Sequence, residues 1–476
     1  MLVLSLESST SSSKALLYDT ERGVVGLESE PYDESVCANG QSDTEAVFQH
    51  VMRLASRITK GREISAIALS SIWHSISICD DSFKTLTPTY AWNYMEPSAH
   101  CKKVRDNKPL ASKLYMRTGC MPHIIYMRET LRYFADNGMD LSGRKLISQG
   151  AYNLLRLTGE FCESLSTASG SGWMDVKTLK YDDFAMDYTG IKASQLGELV
   201  SYKNTFPLNE YGAEMLGVSA GIPVVPSHPD GALNQIANFA ADVGRMTLSV
   251  GTSGAIRLST DHPILPDGHQ LWSYYGVSEY MSGAAISGAC NCINWYVEDV
   301  LQNRWSFKEL ENPNDAPCAS VPTFLPFVFG ERNPGWRDDR LGGFCGLQKN
   351  HSAIEMYRAV QAGILFNLYQ CYEILCADVG TPGEIVVSGG ILNSVQWTQM
   401  LADIFQCTLK CVKNINASSM GAAVLAMHAA GAIEDIKSFR RDYDEAVTIQ
   451  PRTQYKEYYK EQYDRYSYWY NGTQGL

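Results

Sequence analysis

The chain opens on a cluster of side chains suited to holding an anion: "ESSTSSSK", Glu7 to Lys14. Apolar runs flank it, Leu2 to Leu6 and Ala15 to Tyr18, so the cluster reads as the tip of a β-hairpin. Serine and threonine do close tight turns by bonding their own backbone. An apolar hairpin is more often closed by Asn-Gly or Asp-Gly, however. The surplus of donors here, with an acid before them and a lysine after, suits a phosphate. A second hairpin of the same kind lies in "RMTLSVGTSGAIRLST", where a short Gly/Ser/Thr turn joins two strands between Met246 and Ser259. Between the two stands Asp230, in "GIPVVPSHPDGALNQIANFAADVG". A strand is expected to end at Val224 and Val225, a Pro-rich loop to follow over Ser227 to Pro229, and a helix to begin at Asp230. Aspartate is a preferred helix cap. At a strand end beside a phosphate hairpin it is also where a general base for an alcohol would stand. Phosphoryl transfer needs little more than such a base, a metal and donors around the migrating group. A fourth feature, "SGGILNSVQWTQMLADIF", sets Gly389 and Gly390 between a buried strand and a helix, where a backbone can approach a flat ring or a ribose closely.

These residues need a frame that brings them together. Strand-like and helical runs alternate along the chain, the pattern of an α/β fold. The helical "SDTEAVFQHVMRLASRIT" carries a capping-box pattern in Ser42 and Glu45 and precedes the strand "ISAIALSSI". Ser352 and Glu355 form a second such box at the head of "SAIEMYRAVQAGILFNLYQCYEIL", with the strand "EIVVSGGI" after it. The C-terminal "YKEYYKEQYDRYSYWY" spaces aromatics about one helical turn apart, a packing face. Two hydroxyl-rich hairpins, each heading a half-chain of β and α elements, predict duplicated domains facing one ligand. The boundary is expected near Val243, giving residues 1–242 and 243–476. A length of 476 residues suits two to three domains.

Composition narrows the class. The net charge is −12 with acids and bases interspersed, which argues against a nucleic-acid surface. The N-terminal apolar run stops at Glu7, and no apolar stretch approaches a membrane span of about 18 residues. A cytoplasmic protein acting on a small molecule is expected. The 13 cysteines lack paired metal-ligand spacing; the closest pairs are Cys290 with Cys292 and Cys407 with Cys411, so they read as reduced core thiols.

Four blocks carry a resemblance: "SVGTSGAIR", "SHPDGALNQIAN", "STASGSGWMDVKTL" and "FLPFVFGERNPGWRDDRLGGFCGL". With them, over essentially its whole length, the sequence resembles the FGGY carbohydrate kinases, and among these its gluconate-using members. The resemblance implies two actin-like, ribonuclease H-like α/β domains with a cleft between them, ATP and Mg²⁺ as cofactors, and an open-chain sugar or sugar acid as substrate. Gluconate comes first, with xylulose or another ketopentose or polyol as the alternative. A nucleotide-driven switch and a non-catalytic sugar-binding regulator are other uses of the same fold, and a homodimer is one possible assembly. Residue by residue, Asp230 would be the catalytic base, and Thr10, Ser11 and Lys14 would hold the migrating phosphate. Glu7 would orient magnesium through water. Gly251, Thr252, Ser253 and Asn291 would contact the nucleotide phosphates. Gly389, Gly390 and Ser394 would line the adenosine site, with "ASSMGAAVLA" packed behind it. Trp73, His74, Trp92, His123, Tyr126 and Asp230 would hold the sugar. The chain departs from the family pattern at Glu7 and Ser9, which stand for Asp and Gly, and after Trp92, where Tyr94 and Met95 or Glu96 stand near the places of a substrate-binding Asp and Arg.

Overall fold

A computed structural model describes residues 1–311, 317, 320–412, 416–439 and 446–473. Its frame is two mixed sheets with the same plan. In the first, β1 (Leu2–Ser8) and β2 (Ser12–Asp19) form the opening hairpin, and β3 (Gly23–Pro31) adds antiparallel to β2. On the other side β4 (Ala66–Ser71) runs parallel to β1, followed by β6 (Pro223–Pro229) and the short edge strand β5 (Phe206–Pro207). In the second sheet, β7 (Met246–Val250) and β8 (Gly254–Thr260) form the hairpin and β10 (Tyr280–Ile286) adds antiparallel to β8, with β9 (Trp272–Tyr275) outside it. β11 (Glu384–Ser388) and β12 (Thr408–Cys411) continue in parallel from β7, and β13 (Val447–Ile449) closes the edge. Hairpin, antiparallel neighbour and parallel neighbour thus occur twice in the same order, the duplicated α/β architecture expected from the sequence.

The central strands read as near-continuous apolar runs because helices cover both faces. From Val3 to Ser8 every residue of β1 is buried. On one face α1 (Thr44–Thr59) lays down Val47, Phe48, Val51, Met52 and Leu54. Its cap differs from the sequence expectation: Asp43, not Ser42, accepts the Ala46 N–H, and Glu45 instead bonds Tyr152 at 2.6 Å and pairs with Arg156. The Ser352–Glu355 box does form, at the head of α3 (Ala353–Val379). The C-terminal helix α6 (Lys456–Gly472) buries Tyr459, Tyr466 and Tyr470. β6 also differs, since it continues through Ser227 to Pro229, with an irregularity between Val225 and His228 in place of a break. The strand can hold its prolines because the ladder shifts there and asks fewer N–H groups of it.

The other face of the first sheet is covered from the second half of the chain. Helix α5 (Ala417–Ala429) lies across β1 and β4 and against α2 (Asp230–Ala237), in one core with Ala66, Ala68 and Leu233. Its approach depends on Gly421: a Cβ there would stand 2.1 Å from the Leu233 carbonyl oxygen. The segment expected behind the adenosine site is therefore packed on the sheet of the first hairpin. No helix among the described residues is long and apolar enough to cross a membrane.

Candidate active site

The tip of the first hairpin, Ser9 to Ser11, is tied down by side chains. Ser9 donates from its amide and its hydroxyl to the Ser12 carbonyl, at 2.9 and 2.8 Å. Its φ is not in the left-handed region, so this turn does not require the glycine of the family pattern. Trp92 Nε1 donates to Thr10 Oγ1 at 3.0 Å, joining an expected sugar residue to an expected phosphate residue. Directly across the ladder, Glu7 faces Lys14, and Lys14 Nζ reaches Glu7 Oε1 at 3.2 Å. The Glu7 carboxylate is buried and receives two more donors from the start of α5: Ser418 Oγ on Oε1 at 2.8 Å and Ser419 Oγ on Oε2. These two serines were not singled out from sequence, and they lie more than four hundred residues from their partner. The extra methylene of Glu7 is what spans to them.

Asp230 is the first residue of α2, and its side chain does not serve as the usual cap. Oδ1 accepts the neighbouring Gly231 N–H at 2.7 Å. Burial pushes its carboxyl up to about 6, the nearby Glu7 adds to the rise, and the Gly231 bond, Arg257 and Lys14 oppose it. A carboxyl in that range is largely ionised at neutral pH yet basic enough to take a proton.

Beside Asp230 lie the aromatic residues. The Trp73 ring stands 3.0 Å from where a Gly231 Cβ would be, and its Nε1 donates to the Ser166 carbonyl at 3.0 Å. His74 stacks on Trp73, its Nδ1 bonded to the Gly170 carbonyl at 2.8 Å, and burial holds its pKa down at about 3, so the ring is neutral. Tyr126 shares a 2.7 Å hydroxyl contact with Tyr274 of the second half. His123 Nε2 bonds Asp338 at 2.6 Å while Nδ1 accepts the Ile125 N–H at 3.3 Å, which places the ring proton on Nε2. Trp73, His74 and Tyr126 therefore meet at Tyr274, and His123 pairs with Asp338; neither Tyr274 nor Asp338 was singled out from the sequence. The loop after Trp92 turns away. Tyr94 is buried against Tyr90 and Phe134, and its hydroxyl bonds an exposed Glu96 at 2.6 Å.

The second hairpin is bare by comparison. Gly251 is half-buried, and Thr252 and Ser253 are exposed. The turn is held by backbone bonds, Gly251 N–H to Ser253 O at 3.0 Å, Cys290 N–H to Gly251 O at 2.9 Å and Asn291 N–H to Thr252 O at 3.3 Å. The Asn291 side chain is spent inside its own loop, on Ala289 N–H, Cys292 N–H and the Ser287 carbonyl. Gly389 abuts the base of this hairpin with φ +96°, and a Cβ there would sit 2.5 Å from Val250 O. Only glycine fits on both counts. Ser394 is buried and its hydroxyl caps α4 (Val395–Phe405) through Trp397 N–H at 3.0 Å, a duty the sequence reading did not give it. A cavity of about 950 Å³ opens next to this segment, between Leu16, Tyr18 and Phe239 of the first half and Leu392, Asn416 and Met420 of the second.

Models of the N-terminal and C-terminal domains of the FGGY family of carbohydrate kinases match residues 2–238 and 246–430. The chain belongs to that family. This FGGY kinase is 28% identical over 461 residues to the gluconokinase of Bacillus subtilis, covering 91% of this chain and 88% of that protein. Among solved structures it is similar to a gluconate kinase from Lactobacillus acidophilus, with a TM-score of 0.93 and 26% identity over 99% of this chain and 98% of the other. A xylulose kinase from the same organism is similar to almost the same degree, with a TM-score of 0.92, 26% identity and the same coverage. The comparisons make the protein a carbohydrate kinase and leave two sugars in view.

Proposed function

We propose that this FGGY kinase transfers the γ-phosphoryl group of ATP to a primary hydroxyl of an open-chain sugar or sugar acid, with gluconate as the preferred acceptor. The observation that carries the reading is Asp230: a carboxyl raised to about 6, next to the Glu7–Lys14 hairpin on one side and Trp73 on the other. In this reading Asp230 takes the hydroxyl proton as the sugar oxygen bonds to the γ-phosphorus and the bond from that phosphorus to the bridging oxygen of ADP breaks. Thr10, Ser11 and Lys14 hold the migrating group. The amides of Thr252 and Ser253 and the Thr252 hydroxyl face the remaining phosphates, with Gly251, whose N–H is spent on the Ser253 carbonyl, and Asn291 shaping their loop. Gly389 and Gly390 let adenosine approach the sheet, and Ser394 fixes the helix behind them. Trp73, His74, Trp92, His123 and Tyr126 form the sugar side.

Magnesium fits Glu7 only at one remove. A carboxylate offers about four acceptor sites, and Lys14, Ser418 and Ser419 occupy three of those on Glu7. The remaining site on Oε2 can take a water of a hydrated cation. No cluster of three or more His, Cys, Asp or Glu fit to hold a metal occurs among the described residues. The ion would thus be held mainly by the nucleotide, where it neutralises developing phosphate charge.

A panel of sugar acids, alditols and ketopentoses in a coupled ADP-release assay tests the reading. Gluconate should give the highest kcat/KM. A clear preference for a ketopentose would replace the acceptor, and turnover that survives Asp230→Asn would remove the base.

A further inference from the structure

The second half of the chain sends two arginines into the sugar side, and neither forms an ion pair among the described residues. Arg257 lies at the Asp230 end. It bonds Ser249 at 3.3 Å, and Asp230 is the leading charge in its favour. Arg332 lies beside Trp92. Its carbonyl accepts the Trp336 N–H at 2.5 Å, which pins the backbone, and its guanidinium stands 5.9 Å from the Trp92 ring centre. Its Nε is shielded from water and has no hydrogen-bond partner. The groups that sense its charge are Tyr126, Tyr274, His74 and His123, the same residues gathered for the sugar. The acid that favours its charge, Asp338, is already divided between His123 at 2.6 Å and Arg105 at 3.2 Å. Arg332 is thus a half-buried cation whose Nε is cut off from water and which has no counter-charge of its own among the described residues, in a protein whose net charge is −12. Such a group is costly to bury unless something arrives to pair with it.

We infer that Arg332 is the specificity residue for an acid: it receives the carboxylate of an aldonic acid whose far-end hydroxyl lies at Asp230. This rests on the kinase reading above for the Asp230 end. A guanidinium matches a carboxylate with two parallel N–H···O bonds. A neutral hydroxyl satisfies one N–H and leaves the charge uncompensated.

The test is titration calorimetry without nucleotide, using gluconate and the alditol of the same carbon chain, in which a CH₂OH group replaces the carboxylate. The wild-type chain should bind gluconate more tightly. Arg332→Met should lose about 10²-fold for gluconate, the scale of a charge-assisted pair, and less than about 3-fold for the alditol. Arg332→Lys should recover part of the loss. The unliganded Met variant should melt no lower than wild type, because it removes a half-buried cation that has no ion-pair partner among the described residues. Equal losses on both ligands, or a wild-type chain indifferent between them, would overturn the inference. A protein that binds gluconate through Arg332 yet releases no ADP would overturn the kinase chemistry and leave the acid site standing. One that phosphorylates alditols or ketopentoses but does not bind gluconate would do the reverse.

Discussion

The two hairpins share a topology and differ in how they are held. In the first, the acid and the lysine are paired across the ladder, the threonine is tied to Trp92, and two serines of α5 fix the acid. In the second, the turn is glycine-rich and exposed, and backbone bonds hold it. Under the proposed mechanism the contrast separates two tasks. A group that must meet a reacting atom in one geometry is locked beforehand, since misplacement is costly. A turn that wraps phosphates can leave its amides open, because the ligand completes the bonding.

The largest expected effect tests the locked side. Asp230→Asn should lower kcat by about 10²-fold or more, the scale of a general base, with circular dichroism unchanged. The pH profile sharpens this. With a carboxyl near 6, log kcat/KM should fall with unit slope as pH drops below about 6. The stability sign is opposite to that of an ordinary carboxylate. A folded-state value raised above the usual 3.8 means that ionised Asp230 costs stability above pH 6, a cost relieved as pH falls toward 4. Asp230→Asn should therefore melt higher than wild type at pH 7.5, with the gain shrinking by pH 4.5; equal melting at both would place Asp230 in a solvated cap. Next in size is Glu7→Asp. The shorter acid cannot hold both Lys14 and the serines of α5, so kcat should drop about tenfold, a fraction of the cost of misplacing a reacting group. An unchanged rate would show that the α5 bonds are incidental. The smallest effect belongs to the bare side. Thr252→Val should raise the KM for ATP by about 3-fold, in the range of one lost hydrogen bond, and leave the melting temperature where it was. A large loss of stability there would erase the contrast between the hairpins.

Local signals were legible in the sequence and distant ones were not. Both hairpins, the Ser352–Glu355 cap and the aromatic face of α6 follow from spacing within a few residues, and the structure has them. The cap of α1 was misplaced by one residue because Ser42 and Asp43 are both good caps. Tyr94 and Glu96 were drawn toward the sugar because alignment by position does not say which way a loop turns; an aromatic pocket took the tyrosine ring. Arg332 and Asp338 lie in a block that carries the family resemblance, and Ser418 and Ser419 in the segment expected behind the adenosine site, yet nothing in those blocks or around Tyr274 says which side chains face the site. Their meaning comes from partners far along the chain, such as the pairing of His123 with Asp338.

The bonds from α5 to Glu7 also set a clock. Ser418 follows Glu7 by 411 residues. At about 5–20 residues per second, a ribosome needs roughly 20–80 s to deliver the second partner after the first. Throughout that interval the nascent first sheet carries its acid beside a lysine alone, with the face that α5 will cover still open. Competence for phosphoryl transfer is therefore a property that arrives late in translation, and an emerging chain holds an apolar surface for chaperones well before it holds an enzyme.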